Sequence, residues 1–356
     1  MISNCSLLPA SRYLTLIFLA LAVVSTSVFA SIPSKQPAHS NKSAQNKQST
    51  AKKPAANANR KAVAQRPQQR KIQKAHAAQR PQAVAVSYGD RMGLRRVDDP
   101  LNLNSSAALI VDADTQEILL GKNDHAVLPV ASLTKLMTAL IVAESGLAMD
   151  ETVQISQADV DRLKNSGSRL SVGARLTRQQ ALHLALMSSE NRAAHVLART
   201  YPGGVRHFVD LMNERAQQLG MTDTRFVDPT GLSSGNQSSA RDMAILASVT
   251  NQVPAIRHFS TSAGYQLPVG RHMIPYRNSN RLVARDNWDI SLQKTGFIRE
   301  AGRCLVMHVN VAGRNLIMVL LDAKDSNSRI GDAERMRVWA ERSLYSNAFV
   351  STAGRS

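Results

Sequence analysis

Cysteine is almost missing from this 356-residue chain; the two present are Cys5 and Cys304. Cys5 precedes an apolar N-terminal run instead of following it, which argues against a lipid-anchored protein. Without Cys5 the chain keeps one thiol, and one thiol closes no internal disulfide, so the folded part must hold together by its core. Cys304 opens the apolar stretch Cys304-Leu-Val-Met307 and reads as a buried structural residue, not a nucleophile. Metal-binding spacings are missing too. There is no H-E-x-x-H and no H-x-H, and the nine histidines are scattered, which excludes a zinc hydrolase. No metal and no cofactor is expected, and His195 reads as an ordinary helix histidine. Repeats at solenoid or propeller periods are absent as well.

Acidic residues are scarce in one segment. Residues 31–97 hold fifteen Lys and Arg against the single acid Asp90 and so carry +14 of the formal +18. Arg12 adds one charge, which leaves only +3 for residues 98–356. Arg12 is followed by an apolar run, residues 14–28, that ends in Ser27-Val-Phe-Ala30. Residues 1–30 therefore read as a cleaved secretory signal peptide. Residues 31–97 are rich in Ala, Gln, Lys, Pro, Asn and Ser and cannot bury enough apolar surface to offset ordering, so a disordered basic linker is expected. It serves as a spacer, with electrostatic adhesion to anionic wall polymers or membrane as a secondary role. Export makes nucleic acid a poor partner for it.

The folded part is expected over residues 98–347, followed by a polar tail, 348–356. Ala108-Leu-Ile-Val-Asp112 and Gln116-Glu-Ile-Leu-Leu120 flank a turn and form a hairpin. Helices follow at residues 132–144, at 177–200 with a break near Ser189, at 205–219 stopped by Gly220, and at 240–250 capped by Ser239. Asp228-Pro-Thr-Gly231 is a structural turn. Residues 304–311 and 316–321 form a second hairpin, and a helix over 333–344 closes the domain. The plan is α+β, with the first and last strands sharing one antiparallel sheet flanked by helices and the middle helices forming a separate lobe.

Within this plan three triplets occur in order: Ser132-Leu-Thr-Lys135, Ser189-Glu-Asn191 and Lys294-Thr-Gly296. Each alone is weak. Together they are the motif set of penicillin-recognising serine acyl transferases. A serine hydroxyl needs a neighbouring base to become nucleophilic, and a lysine three residues on shares its helix face. Ser132 is therefore the expected site of self-acylation.

These triplets, with Met187-Ser-Ser-Glu-Asn-Arg-Ala-Ala194, Tyr201-Pro-Gly-Gly204, Asp228-Pro-Thr-Gly-Leu232 and Glu300-Ala-Gly-Arg-Cys304, resemble the low-molecular-mass serine D,D-peptidases among the penicillin-binding proteins. The likeness covers roughly residues 100–345 and is closest to the periplasmic D-alanyl-D-alanine endopeptidases. It implies a β-lactamase/transpeptidase-like fold with the active site between sheet and helical lobe. It also implies hydrolysis of D-alanyl–diaminopimelyl cross-links, peptidoglycan stem peptides as substrate, and β-lactams as covalent inhibitors. By the same resemblance Ser132 is the nucleophile and Lys135 its base. Ser189 relays a proton to the leaving amine, while Asn191 holds the substrate amide and orients Lys135. Lys294 adds positive potential, Thr295 binds the substrate carboxylate, Gly296 lets the strand approach, and the amides of Ser132 and Phe297 form the oxyanion hole. Ile298 stands where many relatives carry threonine, which removes one carboxylate contact. Glu190 fits the endopeptidases and not the carboxypeptidases.

Three rival readings follow from the same residues. D-alanyl-D-alanine carboxypeptidase is the first alternative. A β-lactamase needs a deacylating glutamate, and between Asn191 and Lys294 only Glu214 is available, without the partner asparagine of that pattern. A non-catalytic wall-binding protein predicts a lost triplet, and all three are intact.

Overall fold

The computed structural model describes the backbone of residues 86–353 and the side chains of 86–343. The expected signal peptide and residues 31–85 of the expected linker lie outside the described residues.

The chain enters through a short helix α1 (Tyr88–Arg91) and crosses into β1 (Ala107–Asp112) and β2 (Ile118–Lys122). After the two-residue β3 (Leu128–Pro129) come α2 (Lys135–Glu144), β4 (Thr152–Gln154), β5 (Arg175–Thr177), α3 (Arg178–Met187), α4 (Asn191–Arg199) and α5 (Gly204–Gln218). Next are β6 (Gln237–Ser238), α6 (Ala240–Asn251), α7 (Pro254–Thr261) and the hairpin of β7 (Gly264–Val269) and β8 (His272–Arg277). Three long strands, β9 (Asp289–Ile298), β10 (Gly302–Val311) and β11 (Arg314–Ala323), precede α8 (Ser326–Ala353).

The main sheet has the order β2-β1-β11-β10-β9. Every pairing is antiparallel, and β1 lies against β11 as the sequence plan expects. Alternate side chains of β1 serve two cores. Leu109 and Val111 join the apolar cluster shared with α2, α3, α4 and α6, whereas Ala108 and Ile110 pack with Ala333, Met336 and Ala340 of α8. Burial on both faces explains why these strands read as continuous apolar runs. The β10–β11 turn is tightened to Ala312 and Gly313, both at positive φ (51° and 82°), as a two-residue hairpin requires.

Local signals set the helix ends near the site. Thr177 caps α3 in a reciprocal box with Gln180, Ser239 caps α6 through Asp242, and Gly220 at φ 75° follows α5.

Two boundaries need correction. Residues 86–97 are not linker but part of the fold. The Ser87 and Ser106 hydroxyls donate to Asp322 Oδ2 at 2.8 and 2.7 Å, Arg95 donates to the Asp322 carbonyl at 2.9 Å, and Tyr88 N donates to Glu300 O at 2.9 Å. All are polar contacts, two of them on a carboxylate 1% exposed, so apolar periodicity carried no sign of them. At the other end, residues 348–353 of the expected polar tail continue α8, because nothing before Gly354 breaks a helix.

Candidate active site

Ser132 sits in a 3-10 turn, Ala131–Thr134, that runs directly into α2. Ala131 adopts φ 48°, a left-handed conformation that persists only where the surroundings enforce it. The Thr134 hydroxyl donates to the Ala131 carbonyl at 2.8 Å, and Asn236 Nδ2 donates to the Thr134 hydroxyl at 2.9 Å. Two glycines let neighbouring backbone close on the turn. A Cβ on Gly231, at φ 81°, would overlap the Ala131 carbonyl. A Cβ on Gly296 of β9 would stand 2.9 Å from Val130 O and 3.1 Å from Ser132 N. The turn is thus clamped between the Asp228–Gly231 turn and the strand.

Lys135 is fully buried. Its Nζ lies 2.8 Å from Ser132 Oγ, 2.8 Å from Asn191 Oδ1 and 2.6 Å from the Thr230 carbonyl. Burial lowers its pKa from 10.5 to about 7, against the opposing pull of Asp228 and then Glu190. A neutral amine has two N–H groups and one lone pair. The two carbonyl oxygens take the N–H groups, which leaves the lone pair facing the Ser132 hydroxyl. Geometry and proton affinity both suit removal of the Ser132 proton near neutral pH.

The break between α3 and α4 presents the second triplet. Ser188 N and Glu190 N both donate to Leu184 O, at 3.2 and 3.1 Å, and Ser189 takes φ 60° between them. Asn191 spends its Oδ1 on Lys135 and donates from Nδ2 to Ser166 Oγ at 2.9 Å. Glu190 is buried, and its Oε1 has no hydrogen-bond partner among the described residues. Nearby Tyr276, whose hydroxyl is also unpartnered, is pushed up to about 12, mainly by burial and further by Glu190.

A cavity of about 340 Å³ opens in front of Ser132, walled by Ser189 and Asn191 on one side and by Ser279, Thr295, Gly296 and Phe297 on the other. Arg281, Arg303 and Arg329 complete it. Thr295 Oγ1 donates to Ser279 Oγ at 2.7 Å, and the Arg303 guanidinium lies 3.7 Å from the Phe297 ring centre.

Ser132, Lys135, Ser189, Asn191, Thr295, Gly296 and Phe297 thus converge. Lys294 stands behind the wall, within electrostatic reach of Lys135. It is fully buried off the cavity wall, donates to Thr295 O at 2.8 Å, and is driven toward its neutral form by burial, then by Lys135 and Arg329. Three arginines add positive charge at the wall; Arg303 belongs to the Glu300–Cys304 stretch read in the sequence, whereas Arg281 and Arg329 carry no motif of their own. Ile298 departs from its expected part, since it packs in the apolar core. A threonine there would meet that core and not a substrate carboxylate.

The Asp228-Pro-Thr-Gly231 turn is structural, as expected, yet it belongs to the site. Asp228 Oδ1 accepts from Thr230 N, Thr230 Oγ1 and Gly231 N within 2.8 Å, which aims the Thr230 carbonyl at Lys135. Cys304 is fully buried, with its thiol pushed up to about 12 by burial. His195 pairs with Asp159 at 2.7 Å, the satisfied helix histidine the sequence suggests.

Comparison with known proteins matches residues 95–325 to the D-alanyl-D-alanine carboxypeptidase family. The D-alanyl-D-alanine endopeptidase of Escherichia coli K12 is 42% identical over 241 residues, 67% of this chain and 77% of that protein. Its namesake from Pseudomonas aeruginosa is 42% identical over 263 residues, 73% of this chain and 83% of the other. Among solved structures, the Streptomyces K15 DD-transpeptidase superposes with a TM-score of 0.62 at 27% identity, covering 67% of this chain and 97% of that one.

Proposed function

The chain belongs to the D-alanyl-D-alanine carboxypeptidase family, and on that premise we propose that it is a periplasmic D,D-endopeptidase. It hydrolyses D-alanyl–diaminopimelyl cross-links of peptidoglycan through an acyl-enzyme on Ser132 and takes part in cell-wall remodelling. The observation that carries this reading is Lys135, buried and poised near neutrality, 2.8 Å from the Ser132 hydroxyl.

In this reading Lys135 takes the Ser132 proton as Oγ attacks the carbonyl of the cross-linking D-alanine. The oxyanion forms against the amides of Ser132 and Phe297, which Gly296 allows to stand close together; such a donor contributes about 3 kcal/mol. The proton passes by way of Ser189 to the departing amine. Water then attacks the ester and restores Ser132. Thr295 would hold the carboxylate beside the scissile amide of the leaving group, with the arginines of the cavity supplying positive charge. Penicillins enter the same route and stop at the acyl-enzyme. The expected export signal, together with relatives of the wall-enzyme family, supports the periplasm. Adhesion of the basic segment to anionic wall polymers belongs to the proposal on charge alone.

Both of the relatives at 42% identity are named endopeptidases, which favours cross-link cleavage over trimming of terminal D-alanine. Purified cross-linked muropeptide dimers and pentapeptide monomers, digested in parallel, test this. Dimers should be cut faster. Pentapeptide trimming faster by tenfold, about 1.4 kcal/mol the other way, would replace the assignment with carboxypeptidase.

A further inference from the structure

Residues 161–166 make a self-supporting turn packed beside Asn191, one wall residue of the cleft. The Asp161 carboxylate accepts from Leu163 N at 2.8 Å, Lys164 N at 3.0 Å and Ser166 N at 2.8 Å. Ser166 in turn receives Asn191 Nδ2, so the turn rests on the wall that carries the second triplet. From its tip, Lys164 Nζ reaches Glu300 Oε1 at 2.6 Å across 136 residues of sequence. Glu300 lies between β9 and β10, three residues beyond Phe297. The bridge therefore joins the Asn191 wall to the wall of Gly296 and Phe297.

The course of β9 identifies the end that is crossed. In the pose proposed above Thr295 meets the leaving-group carboxylate and Phe297 the scissile carbonyl, so the following residues, toward Glu300, flank the acyl side. Both side chains are about a third exposed (29% and 32%), and an ion pair of that kind parts at small cost. The second Glu300 oxygen, Oε2, is buried without a hydrogen-bond partner among the described residues. Rotation of the Lys164 side chain opens the rim while the backbone turn stays on Asn191.

We propose that Lys164 and Glu300 form a side-chain gate over the acyl side of the cleft, which parts to admit a stem peptide and stays closed over a compact acyl group such as that of penicillin. This rests on the D,D-peptidase reading of the site. It does not rest on the endopeptidase choice, because a cross-linked dimer and a pentapeptide present the same stem on the acyl side.

The test is the ratio of stem-peptide hydrolysis to benzylpenicillin acylation, measured for the full chain and for Lys164→Gln and Glu300→Gln. Both variants should raise the ratio roughly two- to fivefold, the range an exposed ion pair commands. The wild-type ratio should climb likewise between about 50 mM and about 500 mM salt, where screening weakens the bridge. Penicillin acylation, unchanged in both variants, reports an intact fold and an intact Ser132 centre. A ratio that stays level, falls, or rises in one variant alone overturns the gate. Should dimers prove a poor substrate, pentapeptide supplies the numerator, so failure of the endopeptidase reading and failure of the gate remain distinct results.

Discussion

Acidification addresses Lys135 directly. With its pKa near 7, about half the molecules carry a neutral lysine at pH 7, and each further unit of acid cuts that fraction about tenfold. The second-order rate of acylation by a fluorescent penicillin, followed by stopped flow, should therefore fall with unit slope below neutrality. At about pH 5 it should be about one hundredth of its alkaline plateau. Glu190→Gln supplies the second perturbation. Glu190 raises the Lys135 pKa and makes no side-chain hydrogen bond through its buried Oε1, so the amide removes charge with little loss of contact. The limb should move to lower pH in this variant, giving faster acylation than wild type in mild acid and an unchanged plateau. A flat profile would remove Lys135 as the base, and a limb that stays put or moves upward in Glu190→Gln would refute the electrostatic argument. The same burial has a stability signature. The unfolded state binds this proton between pH 7 and 10.5 and the folded state does not. The lysine's penalty, on the order of 5 kcal/mol, is thus fully present below pH 7 and fades as pH rises through that window.

Three further outcomes are expected. Ser132→Ala should fold normally and form no penicilloyl adduct by intact mass, and an adduct on any other residue would displace Ser132 as nucleophile. Gly296→Ala should slow acylation by about a hundredfold, the scale of one lost oxyanion donor, because its Cβ would press on Val130 O and Ser132 N; unaltered acylation would show that this approach is not needed. A chain starting at residue 98 strips Ser87 and Arg95 from the buried Asp322 and should lose roughly 3 kcal/mol. Its melting temperature should drop by roughly 6–12 °C relative to a chain starting at residue 86; equal melting would return residues 86–97 to the linker.

Two kinds of information were legible in the residues alone. Apolar periodicity is local, so it placed α2, α3, α4, α5 and α6 and the β10–β11 hairpin to within a few residues, and the order of the elements put the first and last strands in one sheet. Chemistry tied to short spacing was equally visible: Ser132 with Lys135, and the bend that exposes Ser189 and Asn191. Contacts between distant segments left no such trace. The Thr230 carbonyl on Lys135, Arg329 of the cavity and the Ser87–Asp322 anchor are each single polar groups, brought in by elements distant in the chain. Lys294 shows the limit most plainly. Its motif names it, but only the packed sheet determines that it is buried behind the wall and that its pKa is lowered, by burial first and then by Lys135 and Arg329. A lysine's charge depends on the solvent and neighbours that surround it, and those exist only once the chain has folded.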